Sequence, residues 1–171
     1  MQTPSWDLFI GLFFTVVIGY GFVLQRDKVI VTLLSIYAGI VVATTFSPIV
    51  QKFFAGEQTV GNSVFIRSSA SPFAIESVLF GLTIILIGAK AGLTGKNSKG
   101  VLSPIELMSY SAMNAALILT TIFGFMDDAS RNHIIETSKL GSFVLQYNIL
   151  WLIAPLIFMF FTGGLRKSSS D

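Results

Sequence analysis

The stretch "GYGFVLQRDKVIVTLL" joins two long apolar runs through only four polar residues, Gln25, Arg26, Asp27 and Lys28. The first run, 8–24, is apolar apart from Thr15 and its glycines, and the second, 29–50, is longer still. A helix rises about 1.5 Å per residue, so about 20 residues cross a hydrocarbon core of roughly 30 Å. Both runs reach that length, the first only just. Four residues can join two antiparallel helices but cannot build a water-exposed domain. The polar knot therefore reads as the tip of a transmembrane hairpin. A cleaved leader is a poor reading of the first run: Met1 to Trp6 carries no positive charge, and no small-residue cleavage site precedes Gln25.

Composition points the same way. The chain has 171 residues, enough for one domain, of which 53% are hydrophobic and only 12% charged. Soluble domains carry about 25% charge. A net charge of +2 is too small to argue for nucleic acid, and the basic residues lie between oily segments rather than on one face. The absence of cysteine excludes disulfides, cysteine metal sites and thiol nucleophiles.

Three more apolar segments follow, giving an all-α polytopic membrane protein with four to five transmembrane helices in a single membrane domain. The third, 73–89, starts after Ser71-Pro72, a cap followed by proline at the first helical position. The fourth, 104–125, opens on Ser103-Pro104-Ile105-Glu106, the spacing of a capping box. The fifth, 140–162, carries Pro155, where a kink is expected, and a polar patch, Gln146-Tyr147-Asn148. It lacks a stripe of small residues and reads as peripheral. Between segments two and three lies the polar, Gly/Ser-rich loop 51–71. Residues 127–139 suit a short surface helix.

Orientation follows from Lys and Arg, which are retained on the cytoplasmic side. If five segments alternate, the N-terminus, 51–71 and 127–139 share one side, with Lys52, Arg67, Arg131 and Lys139. The knot, 90–100 and the C-terminus share the other, with Arg26, Lys28, Lys90, Lys96, Lys99, Arg166 and Lys167. The bias places the N-terminus outside, loop 51–71 extracytoplasmic and the C-terminus inside. If 140–162 lies in the interface, the C-terminus moves outside.

In lipid, burying apolar side chains gains little, so helices associate where small residues let backbones approach. Rows at every fourth position run through Gly11, Thr15 and Gly19; through Ser35, Gly39, Ala43 and Ser47; and through Ala112, Ala116, Thr120 and Gly124. The third segment offers Ser77 and Gly81 before Ile85 breaks its row. These rows predict packing faces and carry no chemistry.

Ionisable groups within membrane segments are costly and invite functional suspicion. Asp7 and Glu76 lie within about one turn of helix N-termini, where the helix dipole favours a carboxylate; the sharper alternative is a cation-attracting mouth. Lys90 can snorkel to headgroups. His133, the single histidine, stands in a polar stretch and reads as a surface residue. Asn114, the most interior polar side chain of the fourth segment, reads as an interhelical hydrogen bond. There is no GxSxG, HExxH or Walker loop, and Gly92-Leu93-Thr94-Gly95-Lys96 lacks the P-loop spacing and reads as a basic turn. The expectation is of no catalytic residue, no cofactor and no metal.

Several ordered marks resemble the colicin V production (CvpA) family of small bacterial inner-membrane proteins. They are Asp7 in "WDLFIGLFF" at the start of helix one; the basic tip "QRDKVIVTLLSIYAG", with Arg26; "AKAGLTGKNSKG" after helix three; and "ETSKLGSFVLQY" at the start of the last segment. The chain departs from that pattern in having no glycine after Arg26. In helix four, Ser, Ala and Asn stand where the family tends to have glycines and an Arg. The resemblance implies a non-enzymatic membrane protein of the inner membrane linked to toxin production and envelope physiology. Asp7 and Arg26 are the only positions carried over, as polar marks at the two ends of helix one. The expected partners are the lipid bilayer, further copies of the chain and other envelope proteins, with no nucleic acid. The alternative class is a small channel or transporter subunit with a pore between protomers. That reading needs a continuous polar face, and Ser109, Ser111, Asn114, Thr120 and Thr121 do not share one.

Overall fold

The computed structural model describes residues 5–24, 26–54, 71–94 and 103–167, and among them the chain is helical with short connections and no strand. The helices are α1 (Trp6–Leu24), α2 (Arg26–Phe54), α3 (Pro72–Thr94), α4 (Pro104–Phe125), α5 (Asp128–Thr137), α6 (Lys139–Gln146) and α7 (Asn148–Lys167). Four of them, α1 to α4, are long and apolar enough to cross a membrane. Taken together, α6 and α7 qualify as a fifth span, bent by 66°. The fold is that of an all-α helical membrane protein.

Several boundaries differ from those expected. Helix α2 starts at Arg26, so the polar knot is largely its first turn and only Gln25 separates the two helices. Helix α2 also runs on to Phe54, and α3 to Thr94, which shortens both expected loops. Residues 55–70 of the loop expected at 51–71, and 95–102 of the basic turn, lie outside the described residues. The largest difference is in the last segment. A single helix over 140–162 is not formed: it breaks at Tyr147, and Pro155 lies buried inside α7. The break falls at the polar patch rather than at the proline.

Contacts set the helix directions. Trp6 stacks edge-on against Phe123 at 6.3 Å, and Gly21 abuts Ser111, so α1 runs antiparallel to α4. Gly39 meets Phe80 and Ser47 meets Glu76, so α2 and α3 are antiparallel. At one end of the last segment Ser138 touches Asp7; towards the other, the Thr162 and Tyr110 hydroxyls are 2.5 Å apart. The broken pair α6–α7 therefore runs from the end where α1 starts towards the end where α4 starts.

Helix α4 lies at the centre. It opens with the full capping box: Ser103 accepts from the Glu106 N–H at 3.2 Å, and the Glu106 carboxylate accepts from the Ser103 N–H at 3.0 Å. It buries Tyr110, Ser111, Asn114, Ala115, Ala116, Leu117, Leu119, Thr121 and Phe123, which cover most of its circumference. One apolar cluster joins Val29, Leu33, Ile36 and Ala43 of α2 to Phe80, Tyr110 and Leu117. A second joins Ile10 of α1 to Leu119, Phe123, Ile134 and Val144. The outer faces of α1, α3 and α7 carry exposed Leu, Ile, Val and Phe, the surface a lipid-solvated bundle presents.

The small-residue rows divide. On α2, Ser35, Gly39, Ala43 and Ser47 are all buried and form one face, which α3 covers. A Cβ on Gly39 would lie 2.9 Å from Phe80 Cδ2 and 3.3 Å from the Phe80 carbonyl oxygen, so backbone limits the space. On α4, Ala116 is buried and Ala112 half-buried. On α1 the expected row does not pack within the chain. Thr15 and Gly19 are exposed, Gly19 has no neighbour within 4 Å, and Gly11 only grazes Leu140. Ile10 and Gly21 face inward instead, with Phe13 and Phe14 beside Ile10. The close approach falls at Gly21, where an added Cβ would sit 2.8 Å from Ser111 Cβ.

Gly39→Leu should lower thermal stability in detergent by about 1–3 kcal/mol, the usual cost of overpacking. Leu34→Ala, at a side chain 49% exposed, should change it far less. Differential scanning fluorimetry of the two variants checks this; equal losses would contradict the α2–α3 packing face.

Candidate functional site

The end of the bundle where α1 begins gathers most of its polar contacts. Asp7 lies in the first turn of α1. Its Oδ1 accepts from the Ser138 hydroxyl at 2.7 Å and from the Leu140 N–H at 2.9 Å. Ser138 occupies the corner between α5 and α6. Its N–H donates to the Ile134 carbonyl at 3.0 Å, closing α5, and its hydroxyl accepts from the Gly141 N–H at 2.8 Å, opening α6. One buried hydroxyl thus donates to the carboxylate and accepts from the helix.

The first N–H groups of a helix have no partner inside it. Here two of them, on Leu140 and Gly141, are satisfied by Asp7 and Ser138. Anionic acceptors also suit the positive end of a helix dipole. Asp7 therefore serves two N-termini: it lies in the first turn of α1 and accepts directly from α6. Gly141 lets the corner close, because an added Cβ would collide with the Ile134 side chain and lie 3.0 Å from Ser138 Oγ.

Other polar groups are engaged within the bundle. Ser47 donates to Glu76 Oε1 at 3.2 Å and accepts from Gln51 Nε2 at 2.7 Å, linking α2 to α3. Asn114, buried at 2% exposure, donates from Nδ2 to the Val29 carbonyl at 3.1 Å, an interhelical bond between α4 and α2. The hydroxyls of Ser35, Ser111 and Thr121 donate back to carbonyls four residues earlier in their own helices. The Tyr37 hydroxyl donates to the Leu152 carbonyl at 2.6 Å, on the turn before Pro155. Lys90 and His133 are exposed. No group of three or more His, Asp or Glu among the described residues is placed to hold a metal. The Arg26 side chain lies outside the described residues.

The structure thus joins two marks that stood apart in the sequence, Asp7 and the Ser138 of "TSKLG", 131 residues away. Ser138 was noted only as part of that stretch and was given no role, and Gly141, Gly21 and the Tyr110–Thr162 pair were not singled out. For Ser138 a signal exists: a serine directly before an apolar run is an N-cap pattern. Gly21 gives none, because one glycine among several on α1 does not announce which side meets a neighbour. Comparison with protein-family models, with curated proteins and with solved structures finds no match.

Outside the membrane segments, Asp127 caps α5. Its Oδ1 accepts from the Ser130 N–H and its Oδ2 from the Ser130 hydroxyl, each at 2.9 Å. These bonds, the Ser130 N–H first, hold its carboxyl below the usual carboxylate range. A depressed folded-state pKa adds stability above the unfolded value of about 3.9, and that stability is lost as pH falls through the folded value. The Ser130 amide should therefore lose exchange protection, after correction for intrinsic rates, only below about pH 4. Asp127→Ala should lose it at all pH values. Protection in wild type that ignores pH would contradict this cap.

Proposed function

We propose that this chain is a non-enzymatic inner-membrane protein of the colicin V production kind, supporting toxin production, export or related envelope processes through self-association. The observation that supports this reading is the contact of Asp7 with Ser138. The two stretches that carry the resemblance at either end of the chain, "WDLFIGLFF" and "ETSKLGSFVLQY", meet at one polar corner. The second support is how the small residues are distributed. Gly39 and its row are engaged against α3, whereas Thr15 and Gly19 of α1 remain uncovered. A bundle that assembles with copies of itself needs such a free, close-approach face.

The proposed orientation follows the loop charges, with α5 and the start of α1 outside and both the Arg26 end and the C-terminus cytoplasmic. A cysteine at Asn62 should react with impermeant thiol reagent in intact cells, whereas cysteines at Asn97 and Ser168 should be protected. Labelling at Ser168 would show that the last segment does not cross.

Self-association should appear as crosslinking between copies through a cysteine at Thr15 or Gly19 in native-like nanodiscs. A cysteine at Gly39 should not crosslink between copies. A protein that stays monomeric over a wide concentration range, with no crosslink on α1, would overturn the self-association reading.

A further inference from the structure

The last segment turns where its own sequence breaks the helix. The Asn148 side-chain oxygen accepts from the Ile149 N–H at 2.6 Å, and Tyr147 before it has left helical values at φ −103° and ψ 27°. Asparagine side chains compete for backbone N–H groups in this way. What each half is placed to do follows from its height in the bundle. Thr162 meets Tyr110. From Thr162 back to Asn148 is 14 residues, about 21 Å, and from Tyr110 to Phe123 is 13, about 20 Å. Asn148 therefore stands level with the end of α4. A second route agrees. Counted from the bond between Asn114 and Val29, Tyr37 and its partner Leu152 stand level with Ile122; counted from Thr162, Leu152 stands level with Thr120. The start of α6 is at the same height, because Ser138 touches Asp7 and the adjacent Trp6 stacks on Phe123. With the 66° bend, the roughly 12 Å of α6 falls only about 5 Å along the axis of α7.

At about 100° per residue, the surface of α6 divides into three stripes. Gly141 and Val144 are buried against the bundle, with Leu145 half-buried beside them. Leu140, Phe143 and Tyr147 form an exposed apolar stripe. Lys139, Ser142 and Gln146 form a polar one. A helix that crosses hydrocarbon upright meets protein and lipid only, and Gln146 would then lie about 10 Å deeper than Lys139. A helix lying in the interface beside a bundle meets three surroundings: water, acyl chains and protein. Three stripes about a third of a turn apart fit the second case. The height fits as well. Trp6 and Trp151, the two tryptophans of the chain, both stand within about one turn of the end of α4, and tryptophan and tyrosine collect at membrane–water boundaries.

We propose that α6 is an in-plane membrane anchor and that α7 alone makes the last crossing. Leu140, Phe143 and Tyr147 enter the headgroup–acyl boundary of the leaflet at the Asp7 end, while Lys139, Ser142 and Gln146 face water. The occupant of the apolar stripe is lipid: the stripe carries no charge, and its shallow fall matches the depth at which interfacial helices lie, about 5–10 Å. The 20 residues of α7 rise about 30 Å, enough to cross without α6. The Asp7–Ser138 bond then ties the start of α1 to a helix resting at the same boundary. This inference rests on the helices crossing a bilayer, and on neither the family resemblance nor self-association.

Spin labels placed singly at Lys139, Leu140, Phe143 and Gln146, all exposed, test it on the full chain in nanodiscs. Collision with a water-soluble nickel chelate should be several-fold greater at Lys139 and Gln146 than at Leu140 and Phe143, and collision with oxygen should show the reverse. Labels at Ile149, Ile153 and Ile157, exposed on α7, should then lie deeper by about 6 Å per step. Should the Phe143 label lower the helix content seen by circular dichroism, Tyr147 takes its place. A Gln146 label as shielded from nickel as Phe143, with depth rising steadily from Lys139, would make α6 part of the crossing and overturn the anchor. Nickel access at all four positions would place α6 above the membrane and overturn the lipid contact. Shielding of Leu140 and Phe143 from both reagents, with crosslinking between copies through a cysteine at Phe143, would replace lipid by a second copy and overturn it too.

Discussion

A carboxylate on the first turn of the first helix holds the N-terminus of the sixth, and that hold sets the corner from which the last two helices run. Asp7 accepts from Ser138 and from Leu140, so the corner between α5 and α6 is fixed to α1. From that corner α6 descends against α1 and α4, seating Val144 in the cluster with Ile10, Leu119 and Phe123. Only after the turn at Tyr147 does α7 reach the Tyr37 and Tyr110 hydroxyls. The turn itself falls at the polar patch, where the Asn148 side-chain oxygen accepts from the Ile149 N–H at 2.6 Å.

The remainder of the bundle follows from what lipid withholds. Apolar side chains gain little by leaving hydrocarbon for a protein interior, so close contact and hydrogen bonds select among packings. Helix α4 takes the central place because its inward surface mixes alanines with hydroxyls that bond their own helix. Gly21 and Gly39 mark points of close approach, to α4 and α3 respectively. Asn114 supplies the polar tie between α2 and α4.

What could be read in advance follows the same division. Helix existence was legible from length and apolarity, and the start of α4 from Ser103 and Glu106, because both are local properties. The packing face of α2 was legible because four small residues in one row leave little choice of partner surface. The face of α1 was not: Gly11, Thr15 and Gly19 form an equally regular row, but Ile10, Phe14 and Gly21 meet α4. Both faces are apolar, and in lipid the pattern carries no inside or outside. The break at Tyr147 was misplaced: the proline pointed to one turn, whereas the chain turns at the polar patch, where the Asn148 side chain takes the Ile149 N–H. For the site, Asp7 was visible as a carboxylate where one is costly. Its partner became evident only when the chain was folded.

The central claim is that Asp7 and Ser138 act as one latch, and a double-mutant cycle tests it most directly. Thermal stability in nanodiscs is measured for wild type, Asp7→Ala, Ser138→Ala and the double variant. Contacting groups in one hydrogen-bond network show non-additive losses, whereas independent sites add. The latch predicts that the double variant is little less stable than the worse single variant. Losses that simply add would show that the two residues act separately, and would contradict the account.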